Sequence, residues 1–181
     1  MEHMYLLTEK MPEVTAYNQE TGRELVHVID FKGEIYTRQE GKGMLLGTYE
    51  KACKPWSPVN TPWDFGHELL QPDIDRITPS LEVGFKHFPP LEKAGIKQII
   101  NGPFTFASDG NPLVGPVDGL TNFWCACAVM AGFSQGGGVG LALSNWMVNG
   151  DPGHDIFGMD VTRFGEWATL RYTNAKVREN Y

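Results

Sequence analysis

The residues with the most chemical potential form one run, Gly132-Phe133-Ser134-Gln135-Gly136-Gly137-Gly138, entered from the apolar stretch Phe123 to Met130. This order predicts a strand, a glycine-rich turn, and a helix from about Val139 to Val148 closed by Asn149-Gly150 and Pro152. The first amides of a helix have no intrahelical partner. Together with the helix dipole they favour an anion: a phosphate, a carboxylate or an electron-rich ring edge. Two familiar phosphate-binding patterns are excluded. Val139 and Gly140 stand where the loop of nucleotide hydrolases carries Lys and then Ser or Thr. No Gly-x-Gly-x-x-Gly followed by its acidic residue occurs anywhere in the chain. The alternative for this run is a tight turn that lets a helix pack closely on a sheet.

Tyr36 and Arg38 are a second constellation. Two apart on an expected strand, they share a face and present a phenol and a guanidinium together; the competing reading has Tyr36 cap the sheet with its ring. Trp56, Trp63 and Phe65 either cage a methylated ammonium or pack a loop. Cys125 and Cys127 alternate along an apolar run and, with Cys53, read as buried free thiols. No metal site is expected, because no ligands stand near the cysteines, and His27, His67, His87 and His154 lack the spacing.

The elements that must position these groups follow from periodicity. Short apolar runs at Met4–Thr8, Leu25–Ile29, Ile35–Arg38 and Met44–Tyr49 are separated by a polar, turn-prone stretch (12–23), Lys32-Gly33 and Gly41-Lys42-Gly43, which predicts an antiparallel meander. Residues 54–72 read as a covering loop. Asp73 caps a helix whose apolar face is Ile74, Ile77, Leu81, Phe85 and Phe88, interrupted by Pro79 and ended by Pro89-Pro90. Ile96–Ile100 is a strand, Asp109-Gly110-Asn111-Pro112 a turn before Leu113-Val114-Gly115, and a helix lies near Glu166–Val177 after a capped start at Asp160. The expected fold class is α+β: a mostly antiparallel sheet with covering helices, then a strand, glycine loop and helix. The expected division is 1–122, 123–150 and a helical tail 151–181.

Composition bounds the partners. A chain of 181 residues, 41% hydrophobic and 12% aromatic, has material for one compact core. A net charge of −7 without a basic stripe argues against nucleic acid and acidic membranes. With no run near about 18 apolar residues and no signal-peptide pattern at the start, the chain reads as soluble and cytoplasmic.

Taken together, several stretches resemble the dimethylglycine and sarcosine dehydrogenase branch of the D-amino-acid-oxidase-like flavoproteins. They are His3-Met4-Tyr5-Leu6, Ile35-Tyr36-Thr37-Arg38-Gln39-Glu40, Gly47-Thr48-Tyr49-Glu50, Asn101-Gly102-Pro103-Phe104-Thr105-Phe106 with Asp109-Gly110, and Met130 to Gly138, ending in Tyr172 to Tyr181. The resemblance implies FAD, with a dinucleotide-binding half and flavin-linking residue preceding the matched region and a folate-binding, aminomethyltransferase-like region often following it. It implies that the chain is the substrate-side part of such an enzyme and, without its nucleotide-binding half, inactive and prone to form oligomers. It further implies that the sheet covers the flavin ring, and that an N-methyl amine lies between them for hydride transfer. His3 and Tyr36 match the active-site His and Tyr; Arg38, Pro103 and Thr105 fall on the substrate side; Gly132, Phe133, Ser134, Gln135, Gly136, Gly137 and Gly138 face the flavin. The other readings are a small-amine-binding module without chemistry, and a self-associating module.

Overall fold

The computed structural model describes residues 1–181. The chain divides into two compact units: Glu2–Lys54 with Pro62–Pro103, and Met1 with Pro55–Thr61 and Phe104–Tyr181. The sheet unit ends at Pro103, so residues 104–122 group with the helical tail.

The first unit carries strands β1 (Glu2–Thr8), β2 (Val28–Asp30), β3 (Ile35–Glu40), β4 (Gly43–Thr48) and β5 (Ile96–Pro103), with helices α1 (Pro12–Thr21) and α2 (Ile74–His87). The sheet order is β2-β3-β4-β1-β5, every pair antiparallel. Period-two alternation gives each strand two chemistries. On β1, Glu2, Met4, Leu6 and Thr8 are buried and His3, Tyr5 and Leu7 half-buried. On β3, Ile35, Thr37 and Gln39 are buried, while Tyr36, Arg38 and Glu40 point the other way.

Helix α2 covers the buried face. Asp73 caps it by accepting from the Arg76 amide, and its apolar stripe sets Ile77 and Leu81 into a cluster with Met4, Leu6, Ile35, Met44 and Leu46. Met4, Leu46 and Ile77 are fully shielded, each such side chain contributing about 1.5–3 kcal/mol.

Beside this core sits a buried charge network. The Arg76 guanidinium donates through Nε to Glu50 at 3.0 Å and through Nη1 to Glu2 at 2.9 Å. Asn101 donates to the same Glu2 oxygen at 3.1 Å and to the Gln71 carbonyl at 2.8 Å. Burial alone would raise the Glu2 carboxyl, but the hydrogen bonds from Asn101 and Arg76, and the Arg76 charge, outweigh it and hold Glu2 below its usual range.

Three sequence expectations are corrected here. The polar stretch 12–23 forms α1, because Pro12 is preset for a first helical turn, Val14 supplies one buried anchor and Gly22 ends the helix at φ 66°. The strand expected over Leu25–Ile29 is only Val28–Asp30, at the sheet edge. The helix expected from Glu166 is α4 (Leu170–Asn180), started by Thr169, whose hydroxyl accepts from the Tyr172 amide.

The second unit pairs β6 (Leu113–Pro116) with β7 (Trp124–Cys127) and adds α3 (Gly132–Asn149) and α4. Strand β7 is shorter than the Phe123–Met130 expected, since Ala128 turns at φ 53°. Its cysteines are free, but Cys125 is half-buried and Cys127 exposed. The burial expectation fails because β7 pairs on one side only, with β6. Trp146 of α3 meets Trp124 edge-on at 6.1 Å, and Arg163 grips Asp109 with two bonds of 2.8 and 2.9 Å.

Candidate functional site

Strand register builds the site. Gly47 lies opposite Tyr36 of β3 on one side and Tyr5 of β1 on the other. A Cβ at Gly47 would overlap the Tyr36 ring. Without one, the ring lies over the β4 backbone and its hydroxyl reaches His3 Nε2 at 2.9 Å. The two rings are parallel to within 5°, centroids 6.0 Å apart. Tyr49 tilts over His3 at 5.0 Å and stands 6.1 Å from Tyr36, while His27 meets Tyr36 edge-on at 6.1 Å. The face turned away from α2 is thus an aromatic cluster around one hydrogen-bonded pair.

Burial sets the charge states. It holds the His3 imidazole down to about 4. It pushes the Tyr36 phenol well above its ordinary range, with Tyr49 and Tyr5 adding and Arg38 opposing, and burial likewise raises Tyr49. At neutral pH the pair is uncharged, and its two tautomeric arrangements differ in which partner donates. With Nε2 protonated, His3 donates to Tyr36 and frees the phenol proton for a ligand. With Nδ1 protonated, Tyr36 donates to His3.

A stability consequence follows from the depressed imidazole. Between about pH 4 and the ordinary value of 6.5, the unfolded chain binds a proton that the folded chain refuses. Stability from this group is therefore complete above 6.5 and is lost as pH falls toward 4. At about 1.4 kcal/mol per pH unit, the loss amounts to about 3 kcal/mol. Urea unfolding at pH 4 and 7 should show it in the parent chain and not in His3→Gln; equal pH dependence in the two chains would refute the assignment.

Arg38 shares the Tyr36 face, as expected from its spacing, but its guanidinium is paired with Glu40 and bonds the Gln39 carbonyl at 3.2 Å. Pro103 stands opposite Glu2 in the β1–β5 ladder, so the pleat turns it to the reverse face from His3. Thr105 is exposed in the second unit, just beyond β5. Trp63 is fully exposed and forms no cage. Sequence reasoning did not single out Gly47 or Tyr49; an isolated glycine inside an apolar strand was the available signal, since it often marks close approach.

The glycine run differs from expectation in one decisive respect. Helix α3 begins at Gly132, with Ala131 as its cap, so Gly136, Gly137 and Gly138 lie inside it and their amides bond carbonyls one turn back. Ser134 and Gln135 amides already bond the Ala131 carbonyl at 3.0 and 2.9 Å. The open amides are those of Gly132 and Phe133. What the glycines provide is bare surface: a Cβ at Gly132, Gly136, Gly137 or Gly138 would meet nothing within 4 Å. No group of three or more His, Cys, Asp or Glu side chains converges as a metal site would require.

Residues 1–146 match the DAO family, FAD dependent oxidoreductase. The chain is 41% identical over 186 residues to mitochondrial dimethylglycine dehydrogenase of Rattus norvegicus, covering 100% of this chain and 21% of that protein. It is 32% identical over 184 residues to mitochondrial sarcosine dehydrogenase of Mus musculus, covering 100% and 19%. It thus spans about a fifth of the length of these relatives. The crystal structure of L-proline dehydrogenase from P. horikoshii shares the fold, with a TM-score of 0.65 at 19% identity over 90% of this chain and 39% of that one. With four-fifths of its length matched and its sheet built as in a flavoprotein dehydrogenase, the chain belongs to the FAD dependent oxidoreductase family.

Proposed function

We propose that this chain is the substrate-side part of an FAD-dependent dehydrogenase that oxidatively demethylates an N-methyl amino acid of the dimethylglycine or sarcosine type. It works with a nucleotide-binding half supplied in cis or in trans. The observation that carries the reading is the uncharged His3–Tyr36 pair laid across Gly47.

The residues present fit the ring side of a flavin. The Gly132 and Phe133 amides and the positive end of α3 suit an electron-rich ring edge, and the side-chain-free surface at Gly136, Gly137 and Gly138 admits a flat group against the backbone. FAD, when bound, supplies the acceptor for a hydride equivalent from the N-methyl carbon. The chain's own groups prepare the amine. The half-buried surroundings of the uncharged His3–Tyr36 pair strip an ammonium of water without supplying a counter-charge and shift the amine toward its free base. With His3 donating from Nε2, the Tyr36 proton is available only to a nitrogen that still has its lone pair.

Arg38 can meet the substrate carboxylate by releasing Glu40, an exposed pair worth only about 0–1 kcal/mol. Arg38→Met should raise KM about tenfold or more, the loss of a charge-assisted bond, with kcat nearly unchanged; an unchanged KM removes Arg38 from the site.

The test of the whole reading is anaerobic reconstitution of this chain with FAD and a nucleotide-binding half of the family. Dimethylglycine or sarcosine should bleach the flavin absorbance, and Tyr36→Phe should slow bleaching about 100-fold or more. No bleaching by either amine defeats the proposal.

A second reading, self-association, draws on α3. This helix has no charged residue in 18, and Phe133, Leu141 and Val148 are exposed. Light scattering separates the two: oligomers of the chain that persist when the nucleotide-binding half is added favour it.

A further inference from the structure

Strand β4 ends at Thr48, yet its ladder with β3 runs one residue further: the Tyr49 amide donates to the Glu34 carbonyl at 2.9 Å. The residues on either side of Tyr49 face the core. Thr48 is fully buried, its hydroxyl 3.3 Å from the Met4 carbonyl and 3.2 Å from Glu50 Oε2. Glu50 is buried too and accepts from Arg76 Nε at 3.0 Å. Alternation then turns Tyr49 to the aromatic face, on a backbone clamped before and behind by the buried charge network.

Continuing the β1–β4 register from Tyr5↔Gly47 by two places sets Tyr49 across from His3. Its ring is tilted 58° to the His3 ring at 5.0 Å and 59° to the Tyr36 ring at 6.1 Å, both within the range of ring contact. The two rings it leans on are parallel to within 5° and joined by one bond of 2.9 Å. A single hydrogen bond fixes a distance and a broad direction, and leaves both rings free to turn about it. A third ring, tilted almost equally against both, removes that freedom. Gly47 makes room beneath Tyr36, so the phenol lies in a slot whose one wall it shares with His3.

The same wall covers the imidazole. Burial, and after it the charge of the amino terminus, hold His3 near 4. The other titratable or charged groups on this face are Tyr5 on β1, Tyr36, Arg38 and Glu40 on β3 with Glu34 just before it, Tyr49, and His27 ahead of β2. Strand β5 sets Gly102 and Ile100 opposite His3 and Tyr5, and neither carries a charge.

We propose that Tyr49 is a positioning residue of the amine site: its ring holds the His3 and Tyr36 rings in one orientation and keeps water from the imidazole, so that the phenol proton is aimed at one place. The catalytic consequence rests on the functional reading above; the effect on His3 rests on the ring geometry.

The experiment follows His3 by NMR through a pH titration of the 181-residue chain, and times flavin bleaching by dimethylglycine or sarcosine in the assembled enzyme. In Tyr49→Ala the uncovered imidazole should titrate about one pH unit or more higher, toward its ordinary 6.5. Bleaching should slow about 10- to 100-fold, with little change in the amine concentration that gives half the maximal rate. Tyr49→Phe keeps the ring and should return both readouts to the parent values. Tyr49→Leu, which lacks a flat ring, should move both in the direction of Tyr49→Ala and serves should that variant misfold. An unmoved His3 in Tyr49→Ala and Tyr49→Leu, an equal shift in Tyr49→Phe, or bleaching in Tyr49→Ala as fast as in the parent overturns the inference. A parent assembly that is never bleached defeats the functional reading instead, and the titration still decides whether Tyr49 orders the pair.

Discussion

Gly47→Ala should destabilise the sheet unit by about 1–3 kcal/mol, the range for forcing an added methyl into a packed site. In an assembled flavoenzyme it should also slow amine oxidation about 100-fold or more. The new Cβ overlaps the Tyr36 ring, so the phenol must leave the β4 backbone and surrender its 2.9 Å contact with His3. Elsewhere in a strand the same change would help slightly, because glycine costs about 0.5–1 kcal/mol relative to alanine there. The two effects separate in a double-mutant cycle. In a Tyr36→Ala background the Gly47→Ala cost should vanish or reverse, giving a coupling of about 1–3 kcal/mol. Additive costs would mean that Gly47 serves the strand and not the tyrosine.

Arg76→Met carries the other large effect, about 3–5 kcal/mol of lost stability, the penalty for removing one partner from a buried ionic cluster. That is a large share of the 5–15 kcal/mol typical of a folded domain. The Arg76 side chain is 6% exposed and its carboxylate partners Glu2 and Glu50 are 10% and 2%, so water cannot replace the guanidinium. What remains at Glu2 is the neutral Asn101 amide at 3.1 Å and the exposed Lys54 at 3.3 Å. The pH dependence adds a signature. Because folding lowers Glu2 below its ordinary 4.5, its stabilising contribution is present above that value and fades as pH drops through the folded one. Arg76→Met removes that contribution, so the gap between variant and parent should narrow in acid. Urea denaturation at pH 4 and pH 7 measures it; a gap under about 1 kcal/mol, or one equal at both pH values, contradicts the buried-network account. Replacing all three charges together, as Glu2→Gln, Glu50→Gln and Arg76→Met, should cost much less than Arg76→Met alone.

The parts of this architecture that could be read from sequence are those with a strong period. Ile77 and Leu81 at helical spacing behind Asp73 gave α2 and its buried face. The alternation around Ile35–Arg38 set Tyr36 and Arg38 on one side of β3. Helix α1 escaped notice because its run is nearly all polar and a single residue, Val14, anchors it. The start of α3 was misjudged for an energetic reason. Three consecutive glycines, each about 1 kcal/mol worse than alanine in a helix, read as a break, yet the 18-residue helix runs through them. The His3–Tyr36 pairing itself was invisible to periodicity, because it joins β1 to β3 across an intervening strand; only the family resemblance brought the two residues together. The Tyr49 contacts and the Arg76 cluster likewise depend on which residues from distant segments share a face, which composition and spacing do not encode.

Adjacent positions on β3 serve opposite surfaces: the Tyr36 phenol and the Thr37 hydroxyl are neighbours in the chain and face apart. A single codon inserted after Ile35, inside the strand, would exchange their orientations wholesale, burying the ring against the helix and sending the hydroxyl outward. Evolutionary length changes in this segment should therefore arrive two residues at a time, or be absorbed in the hairpin bends at 31–34 and 41–42.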